Sequence, residues 1–371
     1  MNSNDPSLYI HIPFCRNKCY YCSFVVSVGQ ESRVDSYLES LSREAQPFSG
    51  TRISTIYIGG GTPTFLNLQQ LKRLREIIRT NFQFSDKAEF TIEANPEGMD
   101  AEKASLLIDL GMNRVSLGVQ SLNDKYLKQL GRCHDGESAR KTCSVLRAAG
   151  FENLNLDLMY SFPGQKQEEI IKDVEEIVSL ESDHLSLYTL TIEKNSRYYA
   201  QKIQLQNDDL QAQQYELVTQ HLEAAGFRQY EISNFAKLGR ESHHNLNYWT
   251  GGNYIGLGIG AHSHREGERF WNIPKLIDYI ERTGRSELLV EDREVLDRPK
   301  QLIETVLLGL RMNQGVDLAG LEKRFDCRLT DEKNILINEF VKNGFFIREG
   351  SRLKASGKGR LVLDELASRL I

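Results

Sequence analysis

Three cysteines fall within eight residues of this 371-residue chain, Cys15-Arg16-Asn17-Lys18-Cys19-Tyr20-Tyr21-Cys22, just after the apolar run Leu8-Tyr9-Ile10-His11-Ile12. Three thiolates can hold a metal cluster but not close it. Iron–sulfur clusters are generally carried on four cysteines, so a C-x3-C-x2-C triple with no fourth cysteine nearby points to a [4Fe–4S] cluster with one iron open to another ligand. The competing chemistries are zinc completed by His11 or a distant histidine, and plain buried thiols. Zinc knuckles favour paired C-x2-C spacing, which weighs against the first of these.

Two further stretches carry chemistry. Gly59-Gly60-Gly61-Thr62-Pro63-Thr64 is a glycine loop in which backbone can approach a ligand closely and amide groups can meet an anion or carboxylate. It has neither the Lys-Ser/Thr ending of a P-loop nor the spacing of a dinucleotide fingerprint. His244-Asn245-Leu246-Asn247-Tyr248-Trp249 places an imidazole, a possible axial iron ligand, beside aromatic rings that can stack on a macrocycle. The plainer reading is an aromatic core corner with a hydrogen-bonded histidine, and His243, His262 and His264 compete as ligands.

The segment from Tyr9 to Cys22, with Phe24 two places beyond, resembles the cluster loop of the radical S-adenosylmethionine (SAM) superfamily, and within it the oxygen-independent coproporphyrinogen III oxidase family and its haem-chaperone branch. The resemblance covers nearly the whole chain. It implies that Cys15, Cys19 and Cys22 hold the cluster and that the open iron is chelated by SAM, with the cofactor carrying the hard chemistry. It places Tyr9 on the adenine side, Gly60, Gly61 and Thr62 at the methionine end, and Glu93 (in Thr91-Ile92-Glu93-Ala94-Asn95-Pro96), Gln120, Arg132 and Asp157 among the SAM contacts. Carboxylates accepting from ribose hydroxyls and an arginine clamping a carboxylate agree with that in kind. Structural ion pairs are the alternative for Glu93 and Asp157, and a solvated helix end for Arg132. His-Asn-x-x-Tyr-Trp resembles the haem-binding signature of the chaperone branch, implying haem as cargo at His244, Tyr248 and Trp249. The oxidases continue the cluster loop as C-x2-C-x-C, where this chain reads Ser23-Phe24, and they carry an N-terminal extension that is expected to be missing here. The resemblance therefore implies a haem carrier rather than a coproporphyrinogen dehydrogenase. Oxidative decarboxylation, or radical chemistry on another tetrapyrrole, is the enzymatic rival.

The elements that must position these residues follow from periodicity. Six strand candidates, 8–12, 54–58, 88–93, 114–120, 154–159 and 184–189, alternate with helical patterns at 32–47, 67–81, 100–110, 122–130, 136–149 and 166–180. Repeated β-α units predict a parallel sheet, here a partial (β/α)6 barrel. Asn67 and Asp100 suit N-caps, and Gly111 and Gly150 suit helix ends. Along the strands one face is apolar (Val115, Leu117, Val119) and the other polar (Ser116, Gly118, Gln120), a pattern shared by strands one, three, five and six. Helices must cover the apolar face, which leaves the polar residues inside a curved sheet. Interiors of ordinary barrels are filled by Val, Ile and Leu, so a polar lumen predicts a polar ligand at the strands' C-terminal ends. A helix near 207–225 stopped by Gly226, a strand over Phe227–Ile232 and an aromatic, glycine-rich stretch from Asn234 to Trp271 are expected next.

From about 291 the pattern turns to helices at 299–312, 317–325 and 331–343 and a closing hairpin, a helical, winged-helix-like module. The expected division is 1–230 for the barrel, 231–290 for the aromatic extension and 291–371 for the accessory domain. With 40% hydrophobic and 26% charged residues and a net charge of −5, the chain has no sequence-wide basic field, which argues against nucleic acid as a partner. The remaining cysteines, Cys133, Cys143 and Cys327, are scattered and form no disulfide framework. Met1 to Pro6 lacks a charged, then apolar, leader, and no run of eighteen apolar residues occurs. A cytoplasmic setting is expected, with haem-receiving proteins as partners, membrane respiratory enzymes reached through a partner among them, and with room for a homodimer.

Overall fold

Six parallel strands form the centre of the computed structural model, which describes residues 5–371: β1 (Ser7–Ile12), β2 (Thr55–Gly60), β3 (Glu89–Ala94), β4 (Arg114–Gln120), β5 (Leu154–Tyr160) and β6 (His184–Thr189). The expectation about a leader at Met1 to Pro6 thus falls mostly outside the described residues. Between and after the strands run α1 (Val34–Ala45), α2 (Leu68–Asn81), α3 (Ala101–Asp109), α4 (Asp124–Leu130), α5 (Gly136–Ala149), α6 (Gln167–Ser179) and α7 (Asp208–Ala224). The side-chain oxygen of Asn67 accepts from Gln70 N, whose own amide oxygen accepts from Asn67 N, and Asp100 accepts from Lys103 N, so both caps satisfy amides that the first helical turn leaves unpaired.

The sheet continues through β7 (Arg228–Gln229), β8 (Asn234–Ala236), β9 (Tyr254–Leu257), β10 (His262–Arg265), β11 (Glu268–Asn272) and β12 (Val290–Val295), in the order β7-β8-β6-β5-β4-β3-β2-β1-β9-β10-β11-β12. Strand β9 lies parallel to β1, pairing Ser7 with Tyr254 and Ile10 with Leu257, and so adds a seventh parallel strand from the aromatic, glycine-rich stretch. The strand expected over Phe227–Ile232 is shorter: ladder pairing stops after Gln229, and Glu231 makes only an isolated bridge to Met312. The chain turns there because Tyr230 N bonds Asn234 O at 3.1 Å and the Glu231 carboxylate accepts from Ser233 N at 3.0 Å.

The period-2 reading holds. Ile10, Ile58, Ile92, Leu117 and Leu156 are fully buried in one core with helix residues such as Leu74 and Leu146. Each such side chain contributes about 1.5–3 kcal/mol relative to exposure. The opposite face, including Tyr57, Glu93, Ser116, Asn155 and Asp157, lines a cleft.

A helix, α8 (His243–Trp249), precedes β9, and α9 (Leu276–Gly284) packs on α1. The C-terminal part, α10 (Arg298–Gly309), α11 (Leu318–Phe325) and α12 (Asp331–Lys342) with a sheet of β13 (Val316–Asp317), β15 (Arg352–Ala355) and β14 (Phe346–Glu349), buries its own core around Val306, Ile337, Phe340 and Leu353. These three helices and the small antiparallel sheet make a winged-helix-like arrangement, which two further short helices, Gly357–Leu361 and Leu363–Leu370, close.

Candidate functional site

A cavity of about 940 Å³ opens where the parallel strands end, and Cys15, Cys19, Cys22, Gly60, Gly61 and Thr62 all line it. The cysteine loop is pinned to the end of α4: Asn17 Nδ2 donates to Gly131 O at 2.8 Å and Tyr20 N to Leu130 O at 2.9 Å. Gly61 is required at the loop's back, since a Cβ there would sit 2.7 Å from Pro13 O and 2.9 Å from Cys15 Sγ.

A chain of donors ties the thiols to the barrel wall. Arg132 Nη2 donates to Asn95 Oδ1 (2.6 Å), Asn95 Nδ2 donates to Thr62 Oγ1 (2.9 Å), and Thr62 Oγ1 lies 3.4 Å from Cys15 Sγ. Because Thr62 already accepts from Asn95, its own hydroxyl hydrogen is available to the sulfur. Arg132 Nη1 donates to Cys19 Sγ at 3.5 Å. Burial pushes the Cys15 thiol up to about 11, and the Thr62 bond works against that, so this sulfur favours thiolate only when a further positive charge such as a metal is present. His11, the neighbour that could complete a zinc site, has Nε2 on Val25 O (2.8 Å) and Nδ1 on Tyr9 Oη (3.0 Å). Among the described residues no three His, Cys, Asp or Glu side chains converge as around a single ion. Three thiols on the wall of a large cleft are a donor set that fits a cluster.

Two acids share the lining. Glu93 accepts from Tyr57 Oη (2.8 Å) and Gly60 N (3.0 Å), yet burial raises it to about 7. Asp157, held by Asn155 Nδ2 at 2.8 Å and by Ser116, is likewise raised by burial. Gln120 reaches the cleft through a bulge: Gly118 pairs with Asp157 and Gln120 with Leu158, so Val119 is an extra residue, and Gln120 takes a left-handed φ of 66°. Arg132 is half-buried. Burial works to lower it, and Tyr21, Cys19 and Glu97 more than reverse that, leaving it raised and cationic.

Tyr9, by contrast, stands outside the cleft lining, stacked on Tyr57 (centroids 6.2 Å apart), which does line it. His244, Tyr248 and Trp249 are also apart from the cleft. The His244 ring is buried, with Nδ1 2.8 Å from Thr55 Oγ1 and Nε2 2.9 Å from Tyr248 Oη, so both nitrogens are engaged and neither presents a lone pair to iron in this arrangement. Burial and the Arg114 charge lower its pKa to about 3, keeping it neutral.

Residues 9–177 match the Radical SAM superfamily model and residues 296–362 the HemN C-terminal domain. The chain is 36% identical to the haem chaperone HemW of Lactococcus lactis over 95% of this chain and 94% of that protein, and 35% identical to HemW of Bacillus subtilis over 97% of each. The chain belongs to the HemW-like branch of the HemN family, within the radical SAM superfamily. Among solved structures it is similar to the coproporphyrinogen III oxidase HemN from Escherichia coli, described as a radical SAM enzyme, with a TM-score of 0.88 and 25% identity over 99% of this chain and 90% of that one.

In this HemN-family fold, sequence reasoning missed several residues that hold the site together. Asn95 lies in the quoted Glu93-Ala94-Asn95-Pro96 stretch but was given no part; its role as relay between Arg132 and Thr62 needs the spatial neighbours. Tyr57 was recoverable from strand alternation, two places before Gly59 on the lumen face. Arg114, the largest fully buried side chain, sits on the cleft floor with Nε unpartnered among the described residues, and nothing in its local sequence marks it.

Proposed function

We propose that the chain is a haem chaperone, which binds haem and passes it to haem-requiring proteins from a radical SAM scaffold. The observation that supports this most directly is near-full-length identity above 30% with several haem chaperones. In this reading Cys15, Cys19 and Cys22 hold a [4Fe–4S] cluster, and Gly60, Gly61, Thr62, Glu93, Gln120, Arg132 and Asp157 hold SAM, with Tyr9 buttressing the adenine side through Tyr57. When bound, that pair supplies one-electron chemistry at a sulfonium. The chain's own residues orient and shield: Thr62 and Arg132 direct hydrogens at two sulfurs, Glu93 and Asp157 offer acceptors, and the apolar backs of the strands exclude water.

Ser23-Phe24, both lining the cleft, stand where the oxidases carry a further cysteine, which favours a carrier over oxidative decarboxylation. The receiving partners are haem-requiring proteins, membrane respiratory enzymes among them. No helix among the described residues is long and apolar enough to cross a membrane, so in this reading a membrane partner supplies any contact with the bilayer. A homodimer is part of the same proposal.

The similarity to HemN favours coproporphyrinogen oxidation as the second reading. Anaerobically reconstituted protein separates the two. Haem should give a Soret band displaced from that of free haem, and coproporphyrinogen with SAM and reductant should give no protoporphyrinogen. Multiple turnovers of that product would overturn the chaperone reading. Absence of both results would leave radical chemistry on another tetrapyrrole.

A further inference from the structure

Arg114 opens β4 on its polar face, in line with Ser116, Gly118 and Gln120, and all of these line the cysteine cleft. Side chains of a strand stand across the sheet, so the guanidinium projects into the lumen. The fold encloses it almost completely, leaving it 1% exposed. Arginines elsewhere that reach inward are partnered: Arg132 holds Asn95 and Gly118 O, Arg147 faces Asp183 at 2.6 Å, and Arg311 faces Glu231 at 3.7 Å. Among the described residues Arg114 has no carboxylate within ion-pair distance, and its buried Nε has no hydrogen bond.

The acids on the same face of the sheet are committed to other donors. Glu89 accepts from the amides of His243 and His244, Glu93 from Tyr57 Oη and Gly60 N, and Asp157 from Asn155 Nδ2 and Ser116. His184 and His244 supply no charge, since burial, with the Arg114 charge second, lowers both, and each has both ring nitrogens engaged. Thr91, which pairs with Arg114 in the β3–β4 ladder, also keeps a fully buried hydroxyl without a hydrogen bond among the described residues. A buried cation without a counter-ion is costly, and a water can accept from it without neutralising it.

We infer that Arg114 anchors an anion subsite on the floor of the cleft, which takes a carboxylate of a ligand other than SAM. The cluster end is too distant for one carboxylate to serve both arginines: Gly118, whose carbonyl Arg132 holds, lies further along β4 by about 13 Å at the rise of a strand. A carboxylate matches the planar fork of the guanidinium with two parallel bonds. A single negative charge also suits a lumen that already holds Glu93 and Asp157, whereas a phosphate dianion would be repelled by them more strongly. The inference goes beyond the haem-chaperone reading and requires only that the cleft admit a second ligand beside the SAM site.

The test melts full-length, cluster-loaded protein, saturated with SAM, in sodium propionate and in parallel in propionamide with sodium chloride at equal ionic strength. Propionate should raise the wild-type midpoint as its concentration rises, as a ligand of the native state does, and the neutral amide should not. Arg114→Met should lose the propionate effect and keep the iron–sulfur absorbance. Without ligand it should melt no lower than wild type, because it removes an uncompensated charge, whereas a merely structural arginine would leave it less stable. Arg114→Lys should keep a weakened propionate effect, having the charge without the fork. Coproporphyrin III identifies the source of the carboxylate. Binding on the order of tenfold weaker to Arg114→Met than to wild type assigns it to a tetrapyrrole side chain, and equal binding alongside the propionate effect assigns it to a free small acid. Propionate and propionamide acting alike on wild type would overturn the subsite, as would an Arg114→Met protein that melts lower and still responds to propionate.

Discussion

Glu93 sits among donors that do not fully replace water, so burial keeps its carboxyl protonated up to about pH 7. A cationic ligand beside it favours the carboxylate. SAM binding at pH 7 should therefore release a proton, read as a dependence of the calorimetric heat on buffer ionisation enthalpy. Glu93→Gln should abolish that dependence and weaken binding; an unchanged proton count would assign Glu93 to structure alone. Glu44 makes the complementary case for stability. It accepts from Tyr279 Oη (2.5 Å), Gly258 N (2.8 Å) and Asn272 Nδ2 (2.5 Å), and burial still raises it to about 7. A carboxyl raised in the folded state binds protons more tightly folded than unfolded. Its contribution is therefore fully present below the ordinary value of 4.5 and is lost as pH rises through about 7. The thermal midpoint of the ligand-free protein should fall across that window, and Glu44→Gln should flatten the fall.

At the scale of elements, a carboxylate from the start of β3 sets the position of α8. Glu89 Oε2 accepts from His243 N at 2.8 Å and Oε1 from His244 N at 2.9 Å, satisfying two amides that a helix start leaves open. Glu89→Ala should cost about 1–2 kcal/mol in denaturant unfolding. It should also weaken haem binding more than SAM binding, because α8 carries the His-Asn-x-x-Tyr-Trp motif and only its Asn245 borders the cleft. Equal losses would show a general loosening instead. The glycine loop after β2 is a comparable joint. Gly60 has φ +119°, and a Cβ would lie 2.6 Å from the His11 ring. Gly60→Ala should therefore push the loop off β1 and lower cluster occupancy, measured as bound iron and sulfide.

For the whole molecule, the C-terminal module docks through polar joints. Arg311 Nη2 faces the fully buried Glu231 at 3.7 Å, Asn313 Nδ2 donates to Gln229 O at 2.6 Å, and Arg360 Nη1 donates to Gln229 Oε1 at 2.9 Å. Arg311 also lies over the Trp249 ring at 4.7 Å, so it borders the cleft on one side and touches the end of α8 on the other. Burial already raises the Glu231 carboxyl, and Arg311 opposes that. Arg311→Ala should cost on the order of 1–3 kcal/mol by leaving a buried carboxyl unpaired. Adding Glu231→Gln should recover part of it; independent, additive effects of the two changes would show that the pair is not coupled.

The sequence by itself determined the chemistry on offer and the scaffold under it. The cysteine triple, the glycine loop and Glu93, Gln120 and Asp157 were legible because each is either a local motif or one face of a strand, and strand alternation is a local, period-2 property. What only the tertiary structure decided depends on partners far apart in the chain. Thr55 and Tyr248 close off both nitrogens of His244, Gly252 fixes one nitrogen of His264, and Asn95 joins Arg132 to Thr62. Strand β9 extends the parallel sheet from a stretch whose glycines hide any strand pattern: Gly256 leaves no room for a Cβ, which would meet His262 O at 2.0 Å. A hydrogen bond between distant residues uses up a donor or a lone pair that the sequence shows as free. The sequence therefore named which histidines could bind iron, and the fold decided which of their ring nitrogens are already engaged.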